Sequence, residues 1–419
     1  MTYDFDRKVD RKSTNDMKWH AKAVSMYLHR EIPETMIPMW LADTEFACPP
    51  CIVKAVEARA AKEIFGYCAP MESYYAAVCG WQKRRHNWDV SPAWVTQLPS
   101  VVAGINIAIR AFSQPGDGVI IQQPVYDPFA TIVQQAGRIV VNNALVETGH
   151  GFEMNFDELA QLAAKPENKI MVLCSPHNPV GRVWKEEELR RVADICAAND
   201  VLLVCDEIHS DIVYTGHRHI PILALDEKYS QKCILLNAPG KTFNVAGLKS
   251  SYSIIPSEEL RKAFNAMQVA MSLDVKNTFG LEGTIAAYTD EGEEWMEQEL
   301  AYLEQNMAFA SEFVEKNMPG AKLPKPEGTF LGWLDLRGLG LSDEELFRRI
   351  VLEVLRAQPQ EFREAEAIGR LLCTLRPGVS DGFAARRIEA LVRKGLLEEI
   401  EGPRPGRPVY DRVLRKTGL

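Results

Sequence analysis

Five short, nearly continuous apolar runs constrain this chain more than anything else in it: residues 94–98, 118–122, 170–174, 201–205 and 232–236. Each has the length of a strand. Strands that lack apolar–polar alternation are buried on both faces, which is the signature of a mostly parallel sheet. The stretches between them, at 104–112, 128–136 and 185–199, carry helical periodicity. Alternation of the two kinds predicts an α/β three-layer sandwich over residues 65–275. A long helical pattern at 291–317 and a strand-like segment at 328–335 predict a smaller α/β domain that the N-terminal residues complete. The expected division is 1–60 with 276–353 for the small domain, 61–275 for the large domain, and 354–419 for an appended tail.

Composition narrows the classes of function. Hydrophobic residues make up 46% and charged residues 25% of the 419, as in ordinary globular proteins. No apolar stretch approaches the roughly 20 residues that span a bilayer. The charged first 20 residues lack the apolar core of a signal peptide, so the cytoplasm is the expected compartment. A formal net charge of −9 argues against a general nucleic-acid binder. Nine cysteines are scattered, mostly through apolar segments, without the spacing of a disulfide framework. Cys48-Pro49-Pro50-Cys51 has CxxC spacing, but no second pair or nearby His pair completes a zinc site, and no metal is expected.

Ligands of parallel α/β sheets gather at the carboxyl ends of the strands. Five polar, turn-rich segments lie there: 100–104, 123–128, 175–181, 206–210 and 238–241. Together they hold what a pyridoxal 5′-phosphate (PLP) site requires. A lysine must form a Schiff base and shuttle the substrate α-proton, and a carboxylate must keep the pyridine nitrogen protonated. A donor must face the phenolic oxygen, a ring must stack on the cofactor, and backbone N–H groups at a helix start must receive the phosphate. Lys241 lies between a strand end and Thr242-Phe243-Asn244, an unusual place for a surface lysine. Asp206 follows five apolar residues, a poor place for a surface acid. Asn178 precedes Pro179, where an asparagine serves equally well to start a turn. Tyr126 is a candidate stacked ring, although a lone tyrosine more often packs in a core. Val101 and Val102 follow Ser100 where a strand turns into a helix, and their N–H groups are the candidate phosphate donors.

These residues sit within a longer resemblance. The motifs are Tyr3-Asp4-Phe5-Asp6, Met39-Trp40-Leu41-Ala42-Asp43, Phe65-Gly66-Tyr67, Asn178-Pro179-Val180-Gly181-Arg182-Val183-Trp184, Asp206-Glu207-Ile208-His209-Ser210-Asp211, Lys241-Thr242-Phe243-Asn244 and Glu327-Gly328-Thr329. Over residues 1 to about 352 the chain resembles fold-type-I PLP-dependent enzymes of the aminotransferase class I/II superfamily, most closely the cystathionine β-lyase (cysteine-S-conjugate β-lyase) branch. The resemblance implies that Lys241 carries the cofactor, Asp206 pairs with the pyridine nitrogen, Asn178 faces the phenolic oxygen and Tyr126 stacks. It puts His209 near the phenolic oxygen, a position equally suited to a structural histidine, and Lys249 at the phosphate. It further implies a homodimer in which Tyr67 reaches the neighbouring subunit's phosphate. The expected reaction is carbon–sulfur β-elimination from cystathionine or another cysteine S-conjugate, yielding thiol, pyruvate and ammonia. An aminotransferase and a degenerate PLP-binding regulator are the alternatives.

Two departures stand out. Gly240 replaces the serine that commonly precedes the Schiff-base lysine, which removes one hydrogen bond to a charged group, worth about 1.5–3 kcal/mol. The C-terminal segment bearing the arginine that grips the substrate α-carboxylate is also missing. From about residue 354 a different text begins, with 13 Lys/Arg against 9 Asp/Glu. Its helical stretches followed by a hairpin near residues 398–414 resemble a winged-helix layout. Its charge is weak for DNA binding. Arg370 and Arg376 are candidates for the carboxylate.

Overall fold

The apolar runs form the centre of one sheet. The computed structural model describes residues 2–20, 39, 41–149, 151–342, 345, 397–399 and 414–416. Two helices, α1 (Pro50–Ala60) and α2 (Glu72–His86), precede strand β1 (Val95–Leu98) and helix α3 (Val101–Phe112). Next come β2 (Gly118–Ile121), α4 (Pro128–Gln135), β3 (Ile139–Asn142), β4 (Val146–Thr148), β5 (Gly151–Glu153) and α5 (Phe156–Ala163). The order continues with β6 (Asn168–Cys174), α6 (Glu186–Ala198), β7 (Leu202–Asp206), β8 (Cys233–Asn237), β9 (Ser251–Ile254) and α7 (Glu258–Ala270). Helices α8 (Thr278–Ala287) and α9 (Asp290–Asn317) follow.

The main sheet has seven strands in the order β1-β9-β8-β7-β6-β2-β3. β3, β2, β6, β7 and β8 pair in parallel, whereas β9 runs antiparallel to both β8 and β1. The carboxyl ends of β1, β2, β6, β7 and β8 therefore share one edge, where β9 begins. Successive residues of the central strands enter opposite cores. Met171, Leu173, Leu203, Cys205 and Leu235 face one cluster with Trp81, Leu159 and Val192 from α2, α5 and α6. Ile170, Val172, Leu202, Val204, Ile234 and Leu236 face another with Ile105, Val133 and Phe264 from α3, α4 and α7. Burial on both faces produces the continuous apolar runs, and the three-layer α/β sandwich is the result.

Two local expectations are corrected. Residues 328–335 do not form a strand: pairing is limited to isolated bridges of Gly328 with Val213 and Asp335 with Lys322. Helix α3 starts one turn before residue 104, because the Ser100 side chain caps it by accepting from Ala103 N–H at 3.1 Å.

The chain divides into two compact units, Met1–Lys8 with Asp43–Asp335 and Val9–Ala42 with Leu336–Leu419. The first contains the sheet and runs on through α8 and α9. In the second, Arg11 and Asp16 form an ion pair at 2.7 Å, and β10 (Leu397–Glu399) pairs antiparallel with β11 (Leu414–Lys416). The helices of the expected winged-helix layout, with Arg370 and Arg376, lie outside the described residues. No described helix is long and apolar enough to cross a membrane.

Candidate active site

A cleft opens where the parallel strands end, enclosing about 800 Å³ counted out to open solvent. Val101, Val102, Tyr126, Asn178, Asp206, His209, Lys241 and Lys249 all line it. These are the residues named from the sequence, with one exception. Tyr67 lies outside the cleft and is 97% exposed.

Each side chain arrives from the end of a strand. Asn178 follows β6, and its backbone N–H reaches the Cys174 thiol at 3.4 Å. Asp206 is the last residue of β7, and Lys241 follows β8 by four residues. Since β6, β7 and β8 are adjacent, three separated segments of sequence meet in one cleft. The Asp206 carboxylate is buried and accepts from Ile208 N–H at 3.1 Å. Burial pushes its pKa up to about 7, with Ile208 N–H and the Lys241 charge pulling against that rise. Burial pushes His209 the other way, down to about 3, and the Lys241 charge adds to the effect. The imidazole is therefore neutral near pH 7, and its Nδ1 has no hydrogen-bond partner among the described residues. The Phe330 ring meets it edge-on, with centroids 5.7 Å apart. Tyr126 is partly exposed at the mouth and packs edge-to-face on Phe129.

On the far wall, the first turn of the 12-residue α3 presents Val101 and Val102 to the cleft beside Lys249 and Ser250. Lys249 adopts a left-handed backbone, φ 50°, at the turn into β9. Gly240 borders the same space, and a Cβ there would lie 3.3 Å from the Ala246 Cα. A side chain at 240 would require a small backbone adjustment.

The donor set suits PLP. A helix start with a neighbouring ammonium is a dianion site. A buried carboxylate at a strand end is costly unless a cation meets it, and a protonated ring nitrogen is such a cation. Asn178 and the neutral His209 offer donors for an oxygen on the opposite side of a planar ring.

Ile208 and Ala238 belong to the strand-end segments named from the sequence, whereas Cys174, Ala246, Ser250 and Ser251 in this lining were missed. Ser251 opens β9 and Ser250 directly precedes it; the serines of that strand hide an element that is buried throughout. Two buried acids outside the lining, Glu207 and Asp211, were also missed. Glu207 accepts from His219 Nε2 and Ile222 N–H, both at 2.9 Å. Asp211 accepts from Trp81 and Thr242. No local pattern marks these contacts, because each partner lies far along the chain or on another element.

Residues 39–385 match the family described as aminotransferase class I and II. The chain is 37% identical over 347 residues to the cystathionine beta-lyase PatB of Bacillus subtilis (strain 168), covering 83% of this chain and 88% of that protein. Cystalysin from Treponema denticola, whose crystal structure contains pyridoxal 5′-phosphate, superposes with a TM-score of 0.80 at 31% identity, covering 94% of this chain and 100% of that one. A PLP-bound C-S lyase from Staphylococcus hominis superposes with a TM-score of 0.76 at 31% identity, over 83% of this chain and 88% of that one. Sequence match, sheet order and the residues at the strand ends lead to the same assignment: the chain belongs to the aminotransferase class I and II family.

Proposed function

We propose that this protein is a PLP-dependent carbon–sulfur β-lyase that cleaves cystathionine or other cysteine S-conjugates to a thiol, pyruvate and ammonia. The observation that carries the reading is the convergence of Asn178, Asp206 and Lys241 from three adjacent strand ends on one cleft walled by the start of α3. Similarity over most of its length to proteins named cystathionine beta-lyase and C-S lyase favours carbon–sulfur cleavage over transamination.

When bound, PLP supplies a conjugated ring that takes up the electron pair left as the substrate Cα–H bond breaks. The chain's own residues supply the rest. Lys241 Nζ holds the cofactor until substrate arrives and then accepts the Cα proton. Asp206 stays anionic against the ring nitrogen and holds a proton on it. Asn178 and His209 orient the ring through its phenolic oxygen, and Tyr126 covers its face. The N–H groups of Val101 and Val102, with Lys249, bind the phosphate and fix the register of the ring in the cleft. Loss of the thiolate from Cβ leaves 2-aminoacrylate, which after release takes up water and gives pyruvate and ammonia.

The working unit is proposed to be a homodimer in the cytoplasm, with the exposed Tyr67 contributing to the neighbouring subunit's phosphate site.

The test is to load the purified protein with PLP, supply cystathionine and measure pyruvate and free thiol. Release of both in equal amounts is expected, and Lys241→Ala abolishes release together with the visible absorption band of the lysine-bound cofactor. A keto acid that retains its sulfur would convert the assignment to aminotransferase. A normal band with no turnover on any amino acid would convert it to a PLP-binding regulator.

A further inference from the structure

Two loops supply the centre of the cleft, one after β7 and one after β8, and side chains outside the cleft bind them together. Asn237 Nδ2 donates to Ser210 Oγ at 2.9 Å. Thr242 Oγ1 donates to Asp211 Oδ2 at 3.1 Å. The Asp211 carboxylate is itself held from behind, because Trp81 Nε1 lies 3.1 and 3.2 Å from its two oxygens. Asp211 and Thr242 are 3% and 0% exposed, so solvent does not compete for either bond. Phe243 follows and is wedged against Trp81, Tyr288 and Trp295.

We propose that Asp211 is a positioning residue for the reaction: through the Thr242 hydroxyl it fixes the backbone from which Lys241 reaches into the cleft. This rests on the reading of Lys241 as the cofactor-bearing lysine. Lys241 is held on both sides, by Val245 N–H donating to the Gly240 carbonyl at 3.1 Å before it and by the Asp211–Thr242 bond after it. Asp211 stands five residues after Asp206, the last residue of β7, so the segment that carries the acid of the site also ties down the loop of the lysine. A buried anion is an expensive way to hold a loop, and an apolar side chain would do so at lower cost. Its distinguishing property is direction: a carboxylate oxygen fixes the hydroxyl of Thr242 in one rotamer. Burial raises the pKa of Asp211, and the Arg85 charge from α2 opposes that rise first, with the Thr242 and Trp81 hydrogen bonds and His219 adding to the opposition. His86 lies 3.9 Å away, pushed down to about 2 by its own burial and so neutral.

The test compares Thr242→Val, which keeps the shape and removes the donor, with Thr242→Ser, which keeps the donor. Four readouts are taken: kcat, KM, the pH midpoint of the absorption band of the lysine-bound cofactor, and the melting temperature without PLP. For Thr242→Val, kcat is expected to fall about tenfold to a hundredfold with KM changed less than about threefold, the scale of a displaced reacting group. The band midpoint is expected to move by about half a unit or more as the lysine leaves its set position. Thr242→Ser should restore both, and the melting temperatures of the cofactor-free proteins should agree within a few degrees. The proposal is overturned if Thr242→Val keeps the parental kcat and midpoint. It is equally overturned if its loss of activity follows a lowered melting temperature with an unmoved midpoint. Should the parent protein show no such band, the cofactor reading itself fails, and the inference falls with it.

Discussion

Asp206 is an acid that the fold buries at a cost and the cofactor makes useful. Its pKa is raised to about 7 in the cofactor-free protein, whereas an unfolded aspartate titrates near 4. A raised folded value means that the native state holds the proton more tightly. The associated stability is fully present below about pH 4 and is lost as pH rises through about 7. Cofactor-free protein should therefore lose stability at this residue between those limits. Asp206→Asn should flatten that slope and, at pH 8, stabilise the cofactor-free protein by about 2–4 kcal/mol, read by urea unfolding at pH 5 and pH 8. With PLP the same substitution should lower kcat on the order of a hundredfold, since the ring nitrogen loses its anion. An unchanged pH slope in Asp206→Asn would show that another group carries it. Lys241, Asp206 and Asn178 were legible in the sequence because each follows an apolar run at a strand's carboxyl end, a place where a polar residue has few structural reasons to stand. Asp211 was not, because its meaning lies in Trp81, 130 positions away.

At the level of elements, α3 is the critical part, since its first turn lines the cleft and is the proposed phosphate wall. The helix lies close on the sheet at Gly104, where a Cβ would come within 2.8 Å of Leu236 and 2.9 Å of Leu98. Gly104→Ala should therefore overpack the core, at about 1–3 kcal/mol. Both contacts are leucine methyls, so the strain is shared between rotation of those side chains and a lift of α3, and the share taken by α3 should weaken PLP binding. Thermal melting and a PLP titration of the same protein check both, and a lowered melting temperature with unchanged PLP affinity would separate the helix from the site. The central strands were readable to within a residue or two, since burial on both faces is written directly into composition. β9 was not: Ser251 and Ser253 are fully buried, but their hydroxyls lower the hydropathy of the segment below that of a strand. The segment at 328–335 erred in the opposite direction, having strand-like composition without a partner strand to complete it.

For the whole molecule, the exposed apolar residues Ile64, Phe65, Tyr67 and Met71 lie within eight positions of one another, each at least 63% exposed. Such a cluster is uncommon on a monomer's surface. Tyr67→Ala should leave the circular dichroism spectrum unchanged while weakening PLP binding about tenfold, the worth of one hydrogen bond to a charged group. Sedimentation should return a dimer for the parent, and a monomer that binds PLP with full affinity would refute the shared site. The tail from residue 354 was recognisable only as a change of text, since charge and helical periodicity alone do not specify what it packs against.

The order of the sheet has one more consequence. β1 and β9 are neighbours, yet more than 150 residues separate their first positions, and β9 must enter between β1 and β8 before the sheet is continuous. Contacts of such sequence separation form late and slowly. On the ribosome, the N-terminal portion emerges with β1 lacking its lateral neighbour, and no earlier strand can take that place in the native register. The proposed phosphate wall at residue 101 and the turn at residue 250, which both line the cleft, meet only when this gap closes. Capture of the coenzyme thus becomes a signal of completed folding, and in a cell short of vitamin B6 the nascent chain would remain longest in the state that chaperones and proteases recognise.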